Sequence, residues 1–124
     1  MLFRSYGHRE VDHEFGTNPC SEIILRPYQF CNLTEVVVRH DDTKEDLLRK
    51  VRLAAILGTI QATFTKFPYL RKVWQRNTEE ERLLGVSLTG IYDSKLTCTQ
   101  GEELNGLLAE LREAARVEIG RAHV

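Results

Sequence analysis

The residues with the clearest chemical potential are an amide, a thiol and a carboxylate at alternate positions, Asn18, Cys20 and Glu22. A cysteine in such a place can serve as a thiolate nucleophile, a redox thiol or the site of a thiyl radical. The neighbouring carboxylate of Glu22 disfavours ionisation of the Cys20 thiol, so the neutral thiol that a radical route needs is favoured. In an extended segment, residues two apart point to the same side. We therefore expect the three side chains to face one substrate.

Such a group of side chains suits a ribose and its two neighbouring hydroxyl groups. Glu22 would act as general base on one hydroxyl, and Asn18 offers both a donor and an acceptor to the other. A second thiol, Cys31, follows eleven residues after Cys20. The spacing alone leaves a structural interpretation open, because Asn-Pro-Cys also occurs in ordinary turns.

Short apolar and β-branched runs predict three strands near these residues. The runs are residues 23–25, 33–38 and 85–90. Segments with a helical period alternate with them, which is typical of an α/β fold. The expected fold class is therefore α/β.

Three- and four-residue spacing of apolar side chains predicts two long helices, about 43–64 and about 100–116. Candidate N-caps of the first are Asp41, Asp42 and Thr43. Thr99 and Glu102 match a capping box at the start of the second. The later half of the first helix is almost entirely apolar, so we expect a larger body to bury it on more than one side.

The pattern between the two long helices is less regular. Residues 69–76 are compatible with a short helix, and Thr78 with Glu81 matches a capping box that would open another. The charged residues around Glu81 are interpreted as the solvated start of that helix. Tyr69 and Trp74 are interpreted as packing residues and not as a platform for a nucleobase.

Composition excludes several classes of function. The chain has 124 residues, of which 42% are hydrophobic, enough for a modest core. Its 17 Lys and Arg nearly cancel 18 Asp and Glu, so nucleic acid is not an expected partner. It has no apolar run of the roughly 20 residues that span a membrane and no signal-peptide layout, so a cytoplasmic protein is expected.

The three cysteines are expected to be free thiols, because their number is odd and no secretion signal precedes them. None stands in a Cys-x-x-Cys pair, and His8 and His13 do not continue into a second ligand cluster. We expect no metal site, and we interpret the two histidines as loop residues on a solvated face.

Residues 16–38, GTNPCSEIILRPYQFCNLTEVVV, resemble the active-site loop of ribonucleotide reductases, and the SEIILRP run most resembles the adenosylcobalamin-dependent class. The similarity extends through residues 56–62 and 80–90. It implies that residues 1–117 are a partial segment of the ten-stranded α/β barrel of these enzymes, including the finger loop of the active site. Residues 118–124 are expected to be a non-native tail, and the rest of the reductase chain to be missing.

The resemblance also implies a role for each residue of the loop. Cys20 matches the cysteine that becomes a thiyl radical and removes the ribose 3′-hydrogen. Glu22 matches the carboxylate that takes the 3′-hydroxyl proton, and Asn18 matches the amide that holds the substrate hydroxyls. Cys31 matches one member of the cysteine pair that reduces the sugar and ends as a disulfide, with its partner upstream of residue 1. Cys98 has no such match and is expected to be a bystander.

By the same resemblance the cofactor is adenosylcobalamin, the substrate a ribonucleoside tri- or diphosphate, and the reductant a thioredoxin-like dithiol. The product would be a 2′-deoxyribonucleotide for DNA synthesis, and the fragment alone would be inactive. One alternative is the large subunit of the class whose radical comes from a separate metal subunit. Another is a non-catalytic small α/β module in which Cys20 and Cys31 are structural. The glycyl-radical class is disfavoured because its members generally lack a cysteine at the position of Cys31.

Overall fold

A computed structural model describes residues 12–21 and 23–121, and this part of the chain contains four strands and four α-helices. In chain order they are β1 (Gly16–Thr17), β2 (Ile24–Leu25), β3 (Cys31–Val37), α1 (Lys44–Ala62), α2 (Lys72–Glu81), β4 (Leu83–Thr89), α3 (Lys95–Cys98) and α4 (Glu102–Arg121). A short 3₁₀ turn, Ile91–Asp93, precedes α3. The predicted α/β class is confirmed, since helices and strands alternate along the chain.

The strands form two small sheets. β3 and β4 pair in parallel, with Cys31 opposite Leu83, and α1 and α2 provide the crossover between them. β1 and β2 form a separate antiparallel hairpin in which Gly16 lies opposite Leu25. The predicted strands at 33–38 and 85–90 therefore exist with slightly shifted bounds, and the two small sheets are compatible with a piece of a larger sheet.

The core lies between one face of the β3–β4 sheet and the helices α1 and α4. Side chains alternate along a strand, so Val36 and Val38 share the helix side of β3, as Leu84 and Val86 do on β4. The remaining buried core residues are Leu47, Val51, Ala54, Ala55, Leu107, Leu111, Ala115 and Ile119. This packing fixes the position of β3, and therefore of Cys31 at its start.

Two glycines permit close approaches within this unit. A Cβ at Gly58 of α1 would meet the end of the Leu84 side chain, which would have to move to make room, so the glycine lets the helix pack close to β4. Gly90, directly after β4, has a φ of 72°, and a Cβ there would collide with the carbonyl oxygen of Val38.

The start of α1 is fixed by a capping box at Thr43, one of the three predicted N-cap candidates. The Thr43 hydroxyl accepts from the Asp46 backbone N–H, and the Asp46 carboxylate accepts from the Thr43 N–H. Hydrogen bonds from Thr43 hold the pKa of Asp46 below its ordinary value. Lys50 lowers the pKa of Asp42 in the same way, through a contact of 2.6 Å. The predicted helix at 43–64 is thus confirmed within two residues at each end.

The outer face of α1 remains apolar and exposed. Leu53, Ile56, Leu57 and Ile60 all lie on it, and Leu57 keeps 62% of its surface accessible. The described part of the chain covers only the face with Leu47 and Val51, and burial of the other side by a larger body stays a prediction. An apolar second face is what a helix from a larger body would leave when that body is not included.

The segment before β4 is one helix and not two. α2 runs from Lys72 to Glu81, and Arg82 ends it in a left-handed conformation, with its N–H bonded to the Thr78 carbonyl. Thr78 is buried inside the last turn of α2 and is not an N-cap, so the predicted capping box with Glu81 is wrong. The helix has already begun six residues earlier, at Lys72, and a local pattern match cannot show this.

The start of α4 also differs from the prediction. Thr99 is the C-cap of α3 and its hydroxyl donates to the Lys95 carbonyl. α4 begins only at Glu102, so Thr99 is not its N-cap and the predicted capping box of Thr99 with Glu102 is not formed. α4 continues to Arg121, beyond the predicted end, and Ile119 packs in the core. The origin of residues 118–124 stays a prediction. No helix within residues 12–21 and 23–121 is long and apolar enough to cross a membrane.

Candidate functional site

The loop of the β1–β2 hairpin carries the first candidate thiol, and it is a turn, not an extended segment. The Ser21 N–H donates to the Asn18 carbonyl at 2.9 Å, and Ser21 has a φ of 63°. Pro19 suits such a turn because its ring fixes φ near the value the turn requires. The expectation that residues 18 and 20 share one side of an extended strand is therefore wrong. Cys20 is exposed on the turn.

Asn18 closes this loop. Its side-chain Oδ1 accepts from the Ile23 N–H at 3.0 Å, and its own N–H donates to the Ile23 carbonyl at 3.3 Å. These bonds hold the two ends of the turn together and so fix the place of Cys20. Glu22 lies outside the described residues, and the convergence of Asn18, Cys20 and Glu22 on one substrate stays a prediction.

Cys31 begins β3 and is half-buried. By the alternation of side chains it shares a face with Leu33 and Val37, the face that points away from α1 and α4. Leu33 and Val37 are exposed, so Cys31 stands at the start of an open sheet face. Its thiol also lies 3.7 Å from the Asn32 carbonyl oxygen, a weak sulfur hydrogen bond.

All three cysteines are free thiols, as expected. Cys98 is exposed at the end of α3, and its sulfur lies 3.4 Å from the Ile91 carbonyl oxygen. Cys20 and Cys31 thus lie on different elements, a turn and a strand. The segment between them determines the position of one thiol relative to the other.

That segment packs against α2 through aromatic rings. Phe30 stacks on Trp74 with centroids 4.6 Å apart, and it meets Phe67 edge-on at 5.1 Å. Tyr28 contacts the other side of the group, 5.7 Å from Trp74. The interpretation of Trp74 as a packing residue is confirmed, whereas Tyr69 is 97% exposed and does not pack.

A buried polar network joins the same segment to the end of α2, and the sequence analysis missed it. Arg26 and Gln29 bond to Asn77, Glu80 and Glu81; we call these five residues the Arg26 network. The charges around Glu81 lie at the end of a helix and not at its start, so that part of the expectation is wrong. Glu79, Glu80 and Arg82 are exposed as expected, whereas the Glu81 side chain is mostly buried. One signal was available in the sequence: Arg26 directly follows an apolar run. If that run is buried, the arginine is buried with it and needs a polar or acidic partner.

The described residues contain no group of three or more His, Cys, Asp or Glu that could hold a metal ion. His13 is exposed, and its Nε2 lies 2.9 Å from an Arg26 nitrogen, which can only donate, so the imidazole nitrogen accepts. His8 lies outside the described residues. An open depression of about 310 Å³ runs along the base of the hairpin beside Glu14, Thr17 and Arg26.

Known proteins resemble most of this chain. An adenosylcobalamin-dependent ribonucleoside-triphosphate reductase of Lactobacillus gasseri is 37% identical over 100 residues, which cover 74% of this chain and 13% of the relative. A probable reductase of the same name from Dictyostelium discoideum is 34% identical over 87 residues, 66% of this chain and 11% of the relative. The reductase of Lactobacillus leichmannii is 31% identical over 108 residues, which cover 84% of this chain and 14% of the relative. No family model matches the chain, and no solved structure matches it.

The α/β segment with one thiol on a turn and another on a strand is therefore homologous to ribonucleotide reductases. The relatives described above all bear the name of the adenosylcobalamin-dependent ribonucleoside-triphosphate reductases, and the chain is consistent with a fragment of such a reductase. It spans only 11% to 14% of the length of these relatives.

Proposed function

We propose that the full-length protein is an adenosylcobalamin-dependent ribonucleoside-triphosphate reductase and that this segment supplies two of its thiols. The observation that carries the proposal is the identity of 31% to 37%, over most of the chain, to reductases of that name. The substrate would be a ribonucleoside triphosphate, with the diphosphate as the alternative, and the product the 2′-deoxyribonucleotide.

The uncovered surfaces support a larger body around this segment. Parallel sheets are normally covered on both faces, yet Leu33 and Val37 of β3 are exposed. The outer face of α1 is apolar as well. We place the β3–β4 unit in the ten-stranded α/β barrel of these enzymes, with the open sheet face toward the barrel interior and the β1–β2 hairpin as the finger loop. Cys31, on that open face, would then point inward.

We assign Cys20 the role of hydrogen-atom carrier. As a sulfur radical it would take the 3′-hydrogen of the ribose, forming an S–H bond as the C–H bond breaks. Its exposed place on the turn supports access to a substrate. Glu22 would accept the 3′-hydroxyl proton, and Asn18 would hold the hydroxyls through its amide, whose Oδ1 also serves Ile23.

Cys31 would supply reducing equivalents as one half of a dithiol. Two thiols can give two electrons to the sugar and become a disulfide, which an external thioredoxin-like dithiol then reduces by exchange. The other half of the pair would lie upstream of residue 1. The half-buried place of Cys31 on the open sheet face supports this role.

The cofactor would supply the initiating radical, and no described residue of this chain fits it as a ligand. His13 Nε2 already accepts from Arg26, and His40 is 85% exposed beside Asp41. We therefore assign cobalamin binding to parts of the protein outside the described residues. The residues of this segment would bind, orient and exchange hydrogen with the substrate.

The test of the proposed function is the activity of the full-length protein. With a ribonucleoside triphosphate and a dithiol, it is expected to form deoxyribonucleotide above background only when adenosylcobalamin is added, as measured by chromatography of the product. Turnover that requires an added metal-radical subunit and not adenosylcobalamin would point to the class with a separate metal-radical subunit. No product with either addition would refute a reductase.

The non-catalytic module makes an opposite prediction for the isolated chain. Because the faces of α1 and β3 that point away from the core are apolar and exposed, we predict that the 124-residue chain alone unfolds over a broad, concentration-dependent range in urea, as followed by circular dichroism. The whole chain is used because Ile119 of α4 packs in the core. A sharp two-state transition of a monomer would instead favour a module that folds by itself.

A further inference from the structure

The turn after the hairpin is anchored by a buried guanidinium. Arg26 directly follows β2, and only 7% of its side chain is exposed. One terminal nitrogen lies 2.9 Å from His13, while the other donates to the Asn77 carbonyl at 3.2 Å and to Glu80 at 2.9 Å. Its Nε stands 3.3 Å from a Glu81 oxygen, close enough for an ion pair although not aligned as a hydrogen bond.

Gln29 adds a second set of hydrogen bonds between the same turn and α2. Its Oε1 accepts from the Arg26 backbone N–H at 2.9 Å, and its Nε2 donates to the Asn77 carbonyl and to Glu81. The Asn77 amide returns a bond to the Pro27 carbonyl at 2.9 Å. The turn at 26–29 is therefore held to the last turn of α2 at both its backbone and its side chains.

The anchor connects the two candidate thiols. On one side, β2 ends at Leu25, so Arg26 holds the base of the hairpin that presents Cys20. On the other side, α2 ends at Glu81 and β4 begins at Leu83, the residue that pairs with Cys31. Arg26 thus ties the hairpin to a point two residues from the strand partner of Cys31.

We propose that Arg26 is a positioning residue that sets where the hairpin presents Cys20 relative to Cys31. This rests on the proposed reductase function. The guanidinium is the only kind of side chain that can offer donors in a planar fork to several acceptors at once. Without it, the Glu81 carboxylate, which is mostly buried, loses its cation, and the hairpin base loses its link to α2.

The test is carried out in the full-length protein with Arg26→Gln, which removes the charge and keeps a polar side chain. A small displacement of a reacting group can cost about 100-fold in rate, so we expect kcat to fall about 10- to 100-fold. KM for the ribonucleotide should change far less, because Arg26 does not touch the substrate in this assignment. Circular dichroism should show the wild-type helix content.

The matched control is Arg49→Gln, the same substitution at an arginine that is 73% exposed and pairs with Asp46. It is expected to leave kcat and KM unchanged. A second variant, Glu81→Gln, should repeat the kcat loss, and the double variant with Arg26→Gln should lose less than the product of the two single losses, as residues of one network do. Arg26→Lys, which keeps the charge but not the fork, should recover only part of the rate.

The outcomes separate this inference from the function on which it rests. An inactive wild-type protein would reject the reductase. An active wild type in which Arg26→Gln behaves like Arg49→Gln would reject the positioning role alone. The positioning role would also be rejected if, across Arg26→Gln, Arg26→Lys and Glu81→Gln, activity fell only in proportion to helix content, because that is a folding effect.

Discussion

Replacing Cys20 by serine in the full-length protein is expected to lower ribonucleotide reduction by at least about 10⁴-fold, the scale of loss when a group essential to a catalytic unit is removed. A hydroxyl differs from a thiol by one atom and would fit the exposed turn without altering its hydrogen bonds, which are made by Asn18 and Ser21. The loss would thus come from chemistry and not from folding. Product formation per enzyme over several hours is the measurement.

The matched control for this variant is Cys98→Ser, the same exchange at another exposed thiol. Surface substitutions seldom change stability by more than about 0.5 kcal/mol, so this variant should keep the wild-type rate. Equal losses in Cys20→Ser and Cys98→Ser would show a general sensitivity to thiol removal and would contradict a special role for Cys20.

The second large effect is expected for Cys31→Ser. With one thiol of the pair absent, no disulfide can form, so turnover supported by a thioredoxin-like dithiol should fall by at least about 100-fold, as when a catalytic group is lost. The side chain is half-buried at the start of β3 and the replacement is nearly isosteric, so the strand pairing with Leu83 should persist.

A redox map of the wild-type protein checks the same role without a mutation. After reaction with substrate in the absence of an external reductant, peptide mass spectrometry should find Cys31 in a disulfide with a cysteine upstream of residue 1. Cys98 should remain a free thiol. Recovery of Cys31 as a free thiol after product has formed would contradict its place in the reducing pair.

Local signals predicted the parts of the fold that depend on local chemistry. Thr43, one of the three predicted N-cap candidates, starts α1, and the apolar period that follows gives the helix nearly its observed length. The strands β3 and β4 were predicted from their β-branched runs. Their parallel pairing follows from the crossover through α1 and α2, and no local pattern states it.

The errors have a common physical cause, which is that the decisive contacts lie far apart in sequence. Arg26 and its acceptors on α2 are separated by about fifty positions, so the pairing of Arg26 with Glu80 is invisible to any short pattern.

The sequence indicates which residues belong to the candidate site but not how they are arranged in space. The extended arrangement assumed for residues 18 and 20 fails because Pro19 favours a turn and Ser21 adopts a left-handed conformation. The roles of Cys20 and Cys31 came from the resemblance of the whole loop to reductases. Spacing alone favoured a structural role in an ordinary turn.

The most direct test of the central claim is to observe the radical on Cys20 itself. Full-length protein with cysteine deuterated at the β carbon is mixed with adenosylcobalamin and a ribonucleoside triphosphate, frozen within milliseconds and examined by electron paramagnetic resonance. We predict a sulfur-centred signal that narrows on deuteration, persists in Cys98→Ser and is absent in Cys20→Ser. The same signal in Cys20→Ser protein would show that another residue carries the radical.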